Sequence, residues 1–164
     1  MTDVPGAAQW CLVTVSGVHL ELPGVHPEVV LEETTAARRQ LRIPVGFAEG
    51  TAIAYAWRQI PTPRPLTHEL LAELLDRHGV DVAALRITGR NRSTFLAELD
   101  TEGPRGRHTV SCRPSDGLAL VLRRRMHTPV LVADDLFPPA PDAPGEQSPP
   151  GEPVPPGAEV PGSA

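Results

Sequence analysis

Thr67-His68-Glu69-Leu70-Leu71-Ala72-Glu73-Leu74-Leu75-Asp76-Arg77-His78-Gly79 is the stretch on which the class of fold turns. Leu70, Leu71, Leu74 and Leu75 share one side of a 3.6-residue period. Thr67 stands where an N-cap hydroxyl belongs, Arg77 and His78 sit in the last turn, and Gly79 follows as the stop. Just upstream, Ile53, Ala56, Trp57 and Ile60 recur at helical spacing until Pro61, Pro63 and Pro65 end that helix. Two helices therefore follow one another with no strand between them, which a doubly wound fold does not allow.

Outward from this pair the pattern changes to period two. Leu85 and Ile87, then Phe95, Ala97 and Leu99, then His108, Val110 and Cys112 predict an antiparallel meander with turns at 89–92 and 102–106. Ser115 is placed to cap a third helix running to about Arg124, and Pro129 to Ala133 returns as a strand. On the other side, Trp10 to Val15, Val18 to Leu22, Glu28 to Glu32 and Leu41 to Val45 read as strands between Gly and Pro punctuation. The expectation is an α+β domain of mixed and antiparallel β-sheet with three main helices.

The boundaries follow from composition. Pro138 to Ala164 holds half of the 20 prolines with Gly, Glu and Ser and almost no large apolar residue, so residues 138–164 are expected to be a disordered acidic tail. Residues 1–9 are expected to be loose, leaving residues 10–137 as a single domain of ordinary size. The net charge is −5, and the four tail acids Asp142, Glu146, Glu152 and Glu159 account for all but −1 of it. A body so near neutral lacks the positive field of a tight nucleic-acid binder, and 4% aromatic content leaves few rings for stacking on bases. All 15 basic residues are arginine, which with the Pro, Gly and Ala content suggests a GC-rich bacterial genome.

Several chemistries drop out. Cys11 and Cys112 lie far apart, and the six histidines form no close pair, so zinc is not expected. Both thiols read as small buried hydrophobes in strands. Phosphate-binding glycine loops and a nucleophile elbow are missing, which removes nucleotide-driven, flavin and other redox, and serine-hydrolase chemistry. No run reaches the roughly 18 apolar residues of a membrane span. A cytoplasmic protein with no membrane partner is expected.

Two short stretches echo each other, Arg64-Pro65-Leu66-Thr67-His68 and Arg113-Pro114-Ser115-Asp116. Proline holds the preceding arginine extended just ahead of a helix start, where free N–H groups and the helix dipole favour an anion. Either arginine can then hold a phosphate or carboxylate, or pair with a nearby acid such as Glu69 or Asp116 and simply fix its loop. With Val45-Gly46, Glu49 and Ala52-Ile53 before them and Ala119-Leu120 after, in that order and spacing, these motifs resemble the bifunctional nuclease domain over nearly the whole body.

The resemblance implies an α+β domain, often a homodimer, that acts as a nuclease on DNA and RNA. Glu49, His68 and Asp116 are the candidate catalytic residues, Arg64 and Arg113 the candidate phosphate clamps, and Glu49 with Asp116 the ligands for a divalent cation, Mg²⁺ or Mn²⁺. One departure stands out: the family pattern Val-Asp-Ala-Arg-Pro-Ser-Asp-Ala reads here Val110-Ser111-Cys112-Arg113-Pro114-Ser115-Asp116-Gly117, so Ser111 replaces a carboxylate. If that acid helps hold the ion, metal affinity and cleavage of DNA or RNA are both expected to be weak. The competing account makes Glu49 and Asp116 dipole-compensating residues of first turns and leaves a non-catalytic regulatory or protein-interaction module on the same fold. Arg123, Arg124 and Arg125 suit a helix C-terminus without any ligand. Arg90 and Arg92 against Arg105 and Arg107 fall at opposite ends of the meander, so no continuous nucleic-acid groove is expected.

Overall fold

Alternation along the first strand sends Cys11 and Val13 into the interior and leaves Leu12 and Thr14 exposed, and Leu41 and Ile43 alternate in the same way with exposed Gln40, Arg42 and Pro44. The computed structural model describes residues 9–20, 23–124 and 127–139. Its elements in chain order are β1 (Trp10–His19), β2 (Glu28–Glu33), β3 (Gln40–Pro44), α1 (Phe47–Trp57), α2 (Thr67–Arg77), β4 (Asp81–Asn91), β5 (Thr94–Gly103), β6 (Gly106–Cys112), α3 (Pro114–Arg123) and β7 (Val130–Ala133), followed by a single 3-10 turn at Asp134–Leu136.

The strands form one seven-stranded sheet in the order β3-β2-β1-β7-β4-β5-β6. Every neighbouring pair is antiparallel except β4 with β7, because α3 carries the chain back over the sheet and lays β7 between β1 and β4. The fold is thus α+β with a mixed sheet, as the sequence predicts. Register places Cys11 opposite Val132, Val13 opposite Val130, Leu85 opposite Leu99 and Ile87 opposite Ala97, so the inward faces of adjacent strands line up. Onto this surface pack Ile53 of α1 and Leu118 and Leu120 of α3, all essentially fully buried. Each contributes about 1.5–3 kcal/mol by leaving water. Gly117 lets α3 approach: a Cβ there would lie 2.5 Å from Leu85 Cδ1, itself fully buried.

Several details differ from the sequence reading. The two strands expected at 10–15 and 18–22 are one strand, β1, whose register against β2 shifts between Val15 and Gly17, absorbing the interruption as a bulge; residues 21 and 22 lie outside the described residues. β4 runs on past Gly89, where a second irregularity falls, and reverses at Arg92, whose φ is 54°. α1 stops at Trp57, before Ile60, because Gln59 turns left-handed (φ 52°) and its amide donates to the carbonyls of Ala56 and Leu122.

Neither predicted hydroxyl cap is one. The N-caps of α2 and α3 are Leu66 and Arg113, without side-chain cap bonds. Pro114 takes the first helical position, where its missing N–H costs nothing, and so pushes Ser115 into the helix. At α2 the work falls to Glu69, whose carboxylate reaches back to the Leu66 N–H at 2.7 Å and also accepts from Thr62 and pairs with Arg123.

The leucine stripe of α2 is the larger correction. Leu70, Leu71 and Leu74 are 50%, 43% and 44% exposed, while Ala72 is buried and Leu75 packs on the core. α2 is fastened by a different side, through Glu69 to Arg123 and Asp76 to Arg124. Arg124, with its side chain 3% exposed, also pairs with Asp81. Arg123 and Arg124 are therefore struts of the fold; Arg125 lies outside the described residues, as do residues 1–8 and 140–164 of the two expected flexible ends.

Candidate active site

α1, α2 and α3 all begin at one groove, of about 540 Å³, lined by Ala48, Glu49, Thr51, Ala52, Tyr55, Leu66, Thr67, His68, Arg113 and Asp116. Each helix is preceded by an extended residue, Gly46, Leu66 and Arg113. At Arg113 the cause is Pro114, which disfavours helical geometry in the residue before it. Gly46 is extended at φ −70°, as any residue can be, and its missing Cβ leaves room for Glu49: a Cβ there would fall 2.3 Å from a Glu49 carboxylate oxygen as that acid folds back over the helix start.

Arg113 is the centre of the group. Its Nε donates to one Asp116 oxygen at 2.8 Å and its Nη2 to the other at 2.9 Å, while Nη1 donates to Glu49 at 3.2 Å. Three of the five guanidinium N–H groups are thus committed, two remain, and the side chain is 66% exposed. His68 Nε2 lies 3.4 Å from Asp116 Oδ1. With Nε2–H facing Asp116, Nδ1 is the nitrogen that keeps its lone pair. The Arg113 bonds hold the Asp116 carboxyl below its usual range, with the His68 contact adding to the effect, and the carboxylates raise Arg113 in turn.

Four of the five expected residues, Glu49, His68, Arg113 and Asp116, therefore meet. Arg64 does not: it is exposed and makes no ion pair among the described residues. Ser111 is also elsewhere. It pairs with Glu98 across β5, while its neighbour Cys112 faces α3 beside Gly117, so period two turns Ser111 to the open face of the sheet. There Arg86 binds Glu98 and Asp100, and Thr109 donates to Asp100. A carboxylate at position 111 would join that ladder rather than Glu49 and Asp116.

A divalent cation held by Glu49 and Asp116 does not fit this arrangement, because the Arg113 guanidinium already lies between the two carboxylates. A hard ion needs several converging oxygens. Among the described residues the one group of three potential ligands within 4.8 Å is remote from the groove, at Cys11, Glu33 and Asp134. That group is also filled by a cation: Arg39 donates to Glu33 at 2.8 and 2.9 Å and to Asp134, with Cys11 Sγ 3.5 Å away. Arg39 holds the buried Glu33 carboxyl at about 2, and burial pushes the Cys11 thiol up to about 12, so it stays protonated. Sequence reading overlooked this cluster. The signal was there in the alternation of Val29, Leu31 and Glu33, which turns an acid inward and so demands a partner.

The bifunctional nuclease domain family matches residues 29–141. Two uncharacterized proteins of Mycobacterium tuberculosis, one from strain CDC 1551 / Oshkosh and one from strain H37Rv, are each 36% identical over 111 residues. The aligned region is 68% of this chain and 65% of each relative, so the chain spans just under two-thirds of their length. Among the described residues no helix is long and apolar enough to cross a membrane.

Proposed function

Since the chain belongs to the bifunctional nuclease domain family, we propose that it cleaves phosphodiester bonds of nucleic acid in the groove where the three helices begin. The observation that carries this reading is Arg113, fixed by Asp116 and Glu49 with two N–H groups still free, beside a histidine that the same aspartate orients. The free N–H groups bind the phosphate and stabilise the charge that grows on its oxygens. His68 takes the proton of the attacking hydroxyl on Nδ1, and Asp116 stabilises the imidazolium that results. Converging helix starts add a favourable field for the anion, which Glu49 and Asp116 partly offset. The near-neutral body makes attraction weak and salt-sensitive. Two unpaired cysteines suit a reducing compartment such as the cytoplasm. The test is cleavage of single-stranded and duplex RNA and DNA by wild type, His68→Ala and Asp116→Asn. Activity lost in both variants supports the reading, and equal activity in all three proteins rejects it.

A second reading, an interaction module, has its own observation. Leu70, Leu71 and Leu74 form an exposed apolar face beside Leu66 and Tyr55 of the groove. The occupant that fits the family resemblance is a second copy of the chain. A homodimer through α2 is compatible with cleavage and would also stand without it.

A further inference from the structure

The groove by itself is short of positive charge for a phosphate ligand. Glu49 and Asp116 each carry a negative charge against the single positive charge of Arg113, which they hold between them. A nucleic-acid strand must therefore gain its attraction from a cation outside this trio. A second cavity, of about 240 Å³, continues from the groove: Glu49 and Arg113 line both, and its further walls include Ser93, Thr94 and Phe95 of the β4–β5 hairpin.

The hairpin supplies the cation through an irregularity in its pairing. Ile87 lies opposite Ala97 and Gly89 opposite Leu96, so Thr88 is an extra residue in β4. Strict alternation from the buried Leu85 and Ile87 would send Gly89 inward and Arg90 out to the open face of the sheet. The bulge reverses this: Arg90 comes opposite Phe95, and its guanidinium lies 5.0 Å from the centre of the Phe95 ring. That ring is buried and forms a wall of the second cavity, together with Pro114 and Ser115 of α3. The Arg90 guanidinium bonds to no acid among the described residues, whereas Arg107 at the far end of the meander pairs with Glu102. Stacked on a fixed ring, it has already lost much of its rotamer freedom and still presents N–H groups at its edge.

Resting on the phosphodiesterase reading above, we infer that Arg90 holds a second phosphate of the same strand, flanking the one at Arg113, at the cavity walled by Phe95. The contact is to the backbone phosphate, so it serves DNA and RNA alike and favours strands longer than one linkage. Arg90 binds the strand away from the reacting phosphorus.

The experiment compares wild type, Arg90→Ala, Arg90→Lys and Arg105→Ala, the last removing the same charge at the opposite end of the meander, with circular dichroism to verify folding. Binding of single strands of about ten nucleotides, DNA and RNA, is followed by fluorescence anisotropy against salt, with His68→Ala added to each protein to prevent turnover. Expected for Arg90→Ala is a roughly tenfold loss of affinity for both strands and a log–log salt slope shallower by about 0.7, the share of one phosphate contact in a single strand. Arg90→Lys should recover the slope, and Arg105→Ala should stay within about twofold of wild type. With His68 intact, Arg90→Ala should lower kcat/KM on the longer strand by a similar factor and leave that on a dinucleotide, which has a single linkage, unchanged. Equal losses in Arg90→Ala and Arg105→Ala, an unchanged salt slope, or a dinucleotide affected as much as the longer strand overturns this inference and leaves the phosphodiesterase reading intact. Binding that depends on Arg90 with no cleavage of any strand overturns the phosphodiesterase reading and leaves the phosphate contact standing. Neither binding nor cleavage overturns both.

Discussion

Arg113 lies side-on against Asp116, three positions on, with two parallel N–H donors at 2.8 and 2.9 Å from the two carboxylate oxygens across the helix start. The pair is bidentate, so charge alone does not reproduce it. Arg113→Lys is expected to lower cleavage at least tenfold, since an ammonium cannot bridge Asp116 and Glu49 and still present a fork to phosphate. His68→Ala should cost on the order of 10²-fold or more. Both are read as kcat/KM on an RNA strand, with circular dichroism to verify folding. A fully active Arg113→Lys protein would contradict the clamp.

Acid should act on the other arginine cluster. The folded Glu33 carboxyl titrates at about 2 against an ordinary 4.5, because Arg39 bonds to its charged form. A depressed folded pKa means stability that is complete above the unfolded value and is lost as pH falls from about 4.5 towards 2. Asp134 is shifted the same way by Arg39 and adds to the slope. Glu33→Gln should lower the melting temperature at pH 7 by roughly 5 °C or more and flatten the acid limb of the Tm–pH curve. An unchanged acid limb would show that the cluster does not carry the dependence.

The helix starts make an opposed pair of expectations. Thr67→Ala should change stability by less than about 0.5 kcal/mol, because Thr67 makes no cap bond. Glu69→Ala should cost about 1–3 kcal/mol, since it frees the Leu66 N–H and Thr62 hydroxyl and leaves Arg123, 11% exposed, without its acid. Urea melts of both variants decide it. A larger loss in Thr67→Ala than in Glu69→Ala would reverse the assignment.

The exposed α2 leucines predict self-association. Light scattering at tens of micromolar chain should give a dimer mass for wild type and a monomer for the double substitution Leu70→Glu and Leu74→Glu, with the Tm little altered because neither side chain is in the core. A monomeric wild type would reject the dimer.

The sequence alone determined the elements and the class of fold, because both are local: period two or 3.6 fixes which residues can share a face, and proline fixes where helices can start. Two helices in succession at 47–77 already excluded a doubly wound sheet, and the Arg-Pro motifs already marked the starts of α2 and α3. Tertiary structure decided everything that depends on what lies opposite. The leucine stripe of α2 was plain in sequence, yet its outward direction followed from Glu69 and Asp76 pairing with Arg123 and Arg124 at the end of α3, 54 and 48 positions further along the chain. Arg64 and Arg113 read alike, but only Arg113 found carboxylates within reach. Ser111 seemed part of the site by its place in the motif, and the pleat turned it to the other face of the sheet. Periodicity reports the face of a residue relative to its own neighbours; which faces meet is set by packing between distant segments, and a single chain of letters does not carry that.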